Sequence, residues 1–185
     1  MKSSILSLKQ IVAMLVGTVL YAALAIPFNV LEIPGSGGII AIRPAVAIPM
    51  LFGFVFGPFT GFIAGFLGNV LSDTASFGGF SWNWAIGNGI LGAISGIGYL
   101  IVKRKDWTKG RALLTSSVLA IVGSIVAGGF AAILDLAFQI GLSTLGAALV
   151  EFYSAAATDA VNGAILTPLL LFAYATATAG RARRV

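Results

Sequence analysis

The chain contains no cysteine and no histidine, and charged residues make up only 9% of its 185 positions. Without cysteine it can form no disulfide, no thiolate nucleophile and no cysteine-ligated metal site. Without histidine it lacks the commonest metal ligand and the usual general base near neutral pH. It also has no G-x-x-x-x-G-K-[ST] loop for ATP and no H-E-x-x-H zinc motif. We therefore expect no enzyme, cofactor or metal site; an intramembrane aspartyl enzyme would need Asp135 and Asp159, and no motif supports one.

Apolar sequence fills the chain instead, with 58% hydrophobic residues and a mean hydropathy of +1.02. Because a soluble domain carries roughly 25% charged residues, this composition predicts an integral membrane protein. The 24 glycines are typical of closely packed membrane helices. Ten of the eleven basic residues lie in residues 2–9, 103–111 and 181–184. This positive-inside pattern predicts that both termini are cytoplasmic.

The spacing of the apolar segments predicts one all-α domain over residues 1–185, a bundle of six transmembrane helices. Pro27 marks the expected end of the first helix, and Pro44 fits the first turn of the second. Pro49 and Pro168 are expected to bend their helices. The predicted helices cover approximately residues 8–26, 43–56, 59–71, 84–102, 113–138 and 148–177.

The stretch from Gly57 to Gly96 has two apolar arms around a polar, aromatic bend at residues 73–82. Glycines recur in both arms at helical spacing. Small residues at positions i and i+4 let membrane helices approach closely, so we expect the two arms to pack tightly against each other. These glycines are Gly61, Gly65 and Gly68 in the first arm and Gly89, Gly92 and Gly96 in the second.

Acidic and amide side chains fall in the half of the predicted bundle away from the basic patches. Ionisable groups within membrane helices are costly and mark a functional site by default. Aromatic faces stack on rings and attract cations, while amides and carboxylates orient a ligand. The set suits a flat heteroaromatic ligand, and its acidic surplus favours a neutral or cationic one. The predicted substrate-binding residues are Asn69, Asp73, Trp82, Trp84, Asn88, Asp135, Glu151, Asp159 and Asn162.

Several polar and small residues also fit a purely structural role. Trp82 and Trp84 could form an interfacial aromatic belt, and Glu32 could pair with Arg43 as a structural clamp. The loop over residues 28–42 is long enough to act as a lid, or it is a plain connector. On the first helix, Ala13 and Gly17 share a face that serves either internal packing or docking to another membrane protein. The residues assigned to the lid are Glu32, Pro34, Gly35 and Gly37.

One block of the sequence carries a family likeness. It reads Gly57-Pro58-x-x-Gly61-Phe62-x-x-Gly65-Phe66-x-Gly68-Asn69-x-x-x-Asp73, then Ser81-Trp82-x-Trp84-x-x-Gly87-x-Gly89-x-x-Gly92. This block resembles the substrate-binding S component of energy-coupling factor (ECF) vitamin transporters, above all the branch usually found beside a duplicated ATPase. The chain length and six-helix plan agree with it. That branch often has Gly-His where this chain has Gly68-Asn69.

The resemblance implies a subunit of an ATP-driven importer in a prokaryotic plasma membrane. Such a subunit binds a vitamin or precursor at the outer face, for which a thiamine-like or pyrimidine-like heterocycle or cobalamin are candidates. It implies docking through Ala13 and Gly17 on a transmembrane coupling subunit, two cytoplasmic ATPase subunits, and ligand release by toppling in the membrane. The alternative is a self-sufficient secondary carrier, although the segments show no convincing inverted repeat.

Overall fold

The computed structural model describes residues 6–29, 43–138 and 144–182, and every regular element within these ranges is helical. Two short 3-10 helices, Pro44–Val46 and Arg104–Asp106, supplement the α-helices. The α-helices are α1 (Leu8–Phe28), α2 (Ala47–Phe56), α3 (Pro58–Phe77), α4 (Trp82–Ser95), α5 (Ile97–Ile101), α6 (Gly110–Phe138) and α7 (Leu145–Ala182).

Four helical stretches are long and apolar enough to cross a membrane: Leu8–Phe28, Trp82–Ile101, Gly110–Phe138 and Leu145–Ala179. The stretch Pro44–Phe56 is apolar but shorter. The all-α fold class is therefore confirmed. Six membrane crossings and cytoplasmic termini remain predictions.

Chain reversals between these helices give the bundle two distinct ends. At one end, Asn29 after α1 hydrogen-bonds Ser76 near the end of α3. We call this the polar end, because it also holds most of the buried carboxylates and amides. At the opposite end, the Gln10 side chain at the start of α1 donates to the Phe56 carbonyl at the end of α2. We call this the basic end, because the basic loop 103–111 lies there.

Several predicted helix boundaries were wrong. Pro27 lies inside α1, which continues to Phe28, because a proline near a C-terminus removes only one backbone donor. The helix predicted over 59–71 runs on to Phe77, where Gly78 with φ 75° ends it. Asp73 is therefore a helical residue and not part of a bend. Pro49 lies in the first turn of α2, where a backbone N–H has no partner within the helix, so the proline costs no helical hydrogen bond.

The predicted close approach of the two glycine arms is confirmed, because α3 and α4 pack with their backbones in contact. A Cβ added at Gly61 would overlap the Gly92 carbonyl, and one at Gly92 would overlap the Gly61 carbonyl. One at Gly65 would overlap the carbonyl of Asn88. Such contacts exclude any side chain, so glycine is required by space at these positions.

Ala13 and Gly17 of α1 lie on the internal face of the bundle. Ala13 is only 5% exposed, and a Cβ at Gly17 would lie 2.9 Å from both Ala64 Cβ and the Phe52 ring. The structure therefore favours internal packing over an exposed docking face at these two positions. The exposed face of α1 carries larger apolar residues, including Leu15 and Val19.

Candidate functional site

Asp135 is the centre of one polar group at the polar end. It lies near the C-terminus of α6 and is 2% exposed. Asn83 Nδ2 donates to its Oδ1 at 2.8 Å, and Trp84 Nε1 donates to its Oδ2 at 2.7 Å. The donors are consecutive residues in the first turn of α4. Since both carboxylate oxygens receive short hydrogen bonds, the position of the indole ring of Trp84 is fixed.

Arg43 is the centre of a second polar group, formed by side chains of α1, α4 and α7. Its Nη2 donates to Asn88 Oδ1 at 2.9 Å and to the Tyr21 hydroxyl at 3.4 Å. Its Nε lies 3.5 Å from Asp159 Oδ1, an ion pair with side chains 21% and 8% exposed. The Tyr21 hydroxyl also donates to Asn88 Oδ1 at 3.1 Å.

The two groups are joined along one turn of α4, because Asn88 Nδ2 donates to the Trp84 carbonyl at 3.0 Å. A third pair extends the network on α3, where Asn69 Nδ2 donates to Asp73 Oδ1 at 3.2 Å. Asp73 lies within electrostatic range of Arg43. The result is a polar network through the middle of an otherwise apolar bundle.

Four buried oxygen atoms in or beside this network accept no hydrogen bond from the described residues: Asn69 Oδ1, Asn83 Oδ1, Glu151 Oε2 and Asp159 Oδ1, the last of which is ion-paired with Arg43. All four are acceptors, from amide or carboxylate groups. A buried acceptor without a donor costs about 1–3 kcal/mol. These atoms would therefore be stabilised by a ligand that brings N–H or O–H groups.

The structure brings most of the predicted site residues together, but not all. Trp84, Asn88, Asp135 and Asp159 lie in the network, and Glu151 lies close enough to Asp135 to interact electrostatically. In contrast, Asn162 Nδ2 donates to the Thr158 carbonyl of its own helix. Trp82 is 43% exposed and packs edge-on against Phe138. The lid residues Glu32, Pro34, Gly35 and Gly37 lie outside the described residues.

The sequence interpretation missed Tyr21, Arg43 and Asn83 as members of the site. Glu32, which was one possible partner of Arg43, lies outside the described residues; within them, Arg43 pairs with Asp159. A lone arginine in the half of the bundle that holds the acids was the available signal for it. Asn83 gave only a weak signal, because asparagine at a helix start usually serves as a cap. Among the described residues, no cluster of three acidic side chains could hold a metal ion.

Long apolar helices around a buried polar network are typical of a multi-pass membrane protein. Comparison with known proteins makes the class specific. The family described as "ECF-type riboflavin transporter, S component" matches residues 5–176. The chain therefore belongs to this family, which confirms the resemblance and makes it the substrate-binding component of a vitamin-type transporter rather than an enzyme.

Individual relatives agree with this assignment. The chain is 30% identical over 133 residues to a UPF0397 protein of Aliivibrio salmonicida, covering 70% of this chain and 71% of the relative. It is 34% identical over 112 residues to a UPF0397 protein of Streptococcus thermophilus, covering 60% of this chain and 58% of that relative. A UPF0397 protein of Lactococcus lactis is 30% identical over 131 residues, 68% of each chain. No solved structure matches the chain.

Proposed function

We propose that this chain captures a vitamin or vitamin precursor from the outside of a prokaryotic cell, at the polar end of the bundle. The observation that carries the proposal is a set of buried acceptor oxygens, those of Asn69, Asn83 and Glu151, that accept no hydrogen bond from the described residues. They occur together with the Asp159 carboxylate and with a tryptophan, Trp84, whose ring is held by its hydrogen bond to Asp135. The ligand is a neutral or cationic heterocycle with N–H or O–H donors. The ring stacks on Trp84, and its donors satisfy the acceptors of α3, α4 and α7.

Four ligands fit this description. Riboflavin, which the family description names, combines a flat ring with an imide N–H and several hydroxyls. Thiamine and its pyrimidine moiety carry an amino group on a ring, and cobalamin carries many amide donors. Phosphate monoesters of these compounds are disfavoured, because they would bring net negative charge towards Asp135, Glu151 and Asp159; the phosphodiester of cobalamin is balanced by the charge of its cobalt.

Ligand release is coupled to ATP hydrolysis on partner subunits. The proposed complex contains a transmembrane coupling subunit and two cytoplasmic ATPase subunits, and the chain topples in the membrane to release its ligand inside. Docking uses α1, the helix predicted to carry this role. Because Ala13 and Gly17 pack internally, the docking surface is the outward face of α1. This face carries Val12, Leu15 and Val19, which are 50%, 63% and 61% exposed.

Ligand binding is tested by titrating the purified protein with these four compounds and with flavin mononucleotide as the phosphorylated control. Replacing Trp84 with Ala should weaken binding of the preferred compound by 1 kcal/mol or more, on the order of a hot-spot contact. Tyr153→Ala is the matched aromatic control, because Tyr153 is 64% exposed on α7. Equal affinity of the Trp84→Ala variant and the wild type would refute the site. Failure of every compound to bind would refute this ligand class.

Energy coupling is tested by reconstituting the chain in vesicles with and without its ATPase partners. We expect uptake of radiolabelled ligand only in the complete assembly with ATP inside. Uptake by the chain alone would instead support a self-sufficient secondary carrier.

A further inference from the structure

A cavity lies at the basic end of the bundle, away from the polar network. It is a groove of about 700 Å³ between the start of α1, the end of α2 and the segment that follows α5. We call it the basic-end groove. Its lining includes Lys9, Gln10, Phe56, Tyr99, Lys103 and Arg104.

The three cations of the basic-end groove form no ion pair with an acidic side chain among the described residues. The ion pairs of the described ranges are Arg43–Asp159 and Lys109–Asp106, and neither uses a residue of this groove. The hydrogen bond from Lys109, with further contributions from the charges of Lys105 and Lys103, lowers the pKa of Asp106, and this carboxylate does not line the groove. The groove therefore holds a surplus of positive charge.

Aromatic rings position two of these cations. Lys9 Nζ lies 5.6 Å from the centre of the Phe56 ring. The Arg104 guanidinium lies 5.8 Å from the centre of the Trp107 ring, which is itself 4% exposed and packed against Phe54. Cation–π contacts of this kind restrict the cation without neutralising it. The groove thus presents partly ordered donors to an anion.

Exposed apolar side chains lie next to the same cations, and they determine which type of anion the groove is suited to bind. Tyr99, Leu100 and Ile101 line the groove and are 47%, 67% and 62% exposed. A small soluble anion would leave this apolar surface without a partner. A phospholipid covers both parts, since its phosphate meets the cations and its acyl chains lie along the apolar residues.

We infer that the basic-end groove binds the headgroup of an anionic phospholipid. The phosphate lies between Lys9, Lys103 and Arg104, and the acyl chains run along Leu100 and Ile101. One N–H of the Gln10 amide bonds the Phe56 carbonyl at 3.2 Å, which holds this side chain at the wall of the groove. The site is independent of the ligand site at the polar end.

The test is native mass spectrometry of the purified chain in mixed micelles of phosphatidylglycerol and phosphatidylcholine with identical acyl chains. We expect retained phosphatidylglycerol to exceed its share of the micelle. The variant Lys9→Gln/Lys103→Gln/Arg104→Gln should lose this enrichment, by about fivefold for each cation removed. Added salt should weaken the preference of the wild type.

A variant with the same loss of charge elsewhere in the basic end is the control. Lys105 and Arg111 line a neighbouring cavity of about 520 Å³ and not the groove, so Lys105→Gln/Arg111→Gln should keep the enrichment. The groove variant of equal charge, Lys9→Gln/Arg104→Gln, should lose most of it. Equal loss of enrichment in both variants would mean that the general surface charge attracts the lipid, and it would overturn the assignment of the site to the groove. The proposal would also be overturned if the wild-type protein showed no preference for phosphatidylglycerol, or if the groove variant kept that preference. Single substitutions at Lys9, Lys103 and Arg104 apply the same criterion if the triple variant fails to fold.

Discussion

Breaking the ion pair between Arg43 and Asp159 should destabilise the protein more than replacing both residues together. The two side chains are 21% and 8% exposed, with Nε and Oδ1 3.5 Å apart. Asp159→Asn leaves a mostly buried guanidinium that is hydrogen-bonded only to the neutral groups Asn88 and Tyr21, with Asp73 as a more distant counter-charge. Arg43→Met leaves a buried carboxylate whose Oδ1 accepts no hydrogen bond. Each single change therefore leaves a buried charge without its ion-pair partner.

The size of the expected loss of stability follows from the exposure of the two side chains and from the distance between them. Removing one partner of a buried ion pair costs about 3–5 kcal/mol. Because Arg43 is partly exposed and the contact is 3.5 Å, we expect the lower end, about 3 kcal/mol. For a chain of this size that lowers the unfolding temperature by about 6–12 °C. The double variant Arg43→Met/Asp159→Leu replaces the pair by apolar groups, which is often neutral, so it should unfold at a higher temperature than either single variant.

The wild type, the two single variants and the double variant form a double-mutant cycle. Their thermal unfolding temperatures, measured in one detergent, give the coupling between Arg43 and Asp159. The exposed pair supplies the control: Asp106 and Lys109 are 2.6 Å apart with side chains 28% and 69% exposed. Asp106→Asn should leave the unfolding temperature unchanged, because solvent screens this pair. The reasoning would be refuted if the losses of stability from the Arg43 and Asp159 substitutions simply added in the double variant. It would also be refuted if the single variants were as stable as Asp106→Asn.

Two further predictions concern packing and orientation. Gly65→Ala should destabilise the protein by about 1–3 kcal/mol, since the added Cβ would overlap the Asn88 carbonyl; Gly129→Ala should be tolerated in the same unfolding assay, because its nearest neighbour would be Phe152 at 3.7 Å. Trp84→Phe should keep the ring but remove the donor to Asp135 Oδ2, with a loss of about 1–3 kcal/mol in unfolding free energy and weaker ligand binding. Similar values for Gly65→Ala and Gly129→Ala, or wild-type behaviour of Trp84→Phe, would contradict these assignments.

The sequence was sufficient to predict the membrane class and the packing of α3 on α4. Both depend on local signals: composition in one case, and the spacing of Gly61 and Gly65 in the other. Boundaries were less predictable, because tertiary packing extends helices past polar residues. Asp73 and Asn69 looked like the end of a helix, but the α-helix continues to Phe77 with their side chains bonded to each other.

The site was predictable as a set of residue types but not as a set of contacts. Asp135 and Asp159 were identifiable as intramembrane acids. Their partners were not, because Asn83 and Arg43 reach them from elements far away in sequence. The same limit applies to Ala13, whose small side chain is compatible with both internal packing and docking. Spacing along one helix gives the shared face but does not identify the surface that covers it.

The glycines of α3 and the polar network are two parts of one arrangement. Gly65 lies against the backbone of Asn88, and Gly68 lies against the ring of Tyr21. Asn88 and Tyr21 are the two neutral partners of Arg43, at 2.9 Å and 3.4 Å. Any side chain at either glycine would displace one of these partners, and hydrogen bonds weaken steeply with such displacements. The close helix packing therefore positions the groups that hold Arg43 opposite Asp159, so a glycine that touches no ligand still determines the geometry of the proposed binding site.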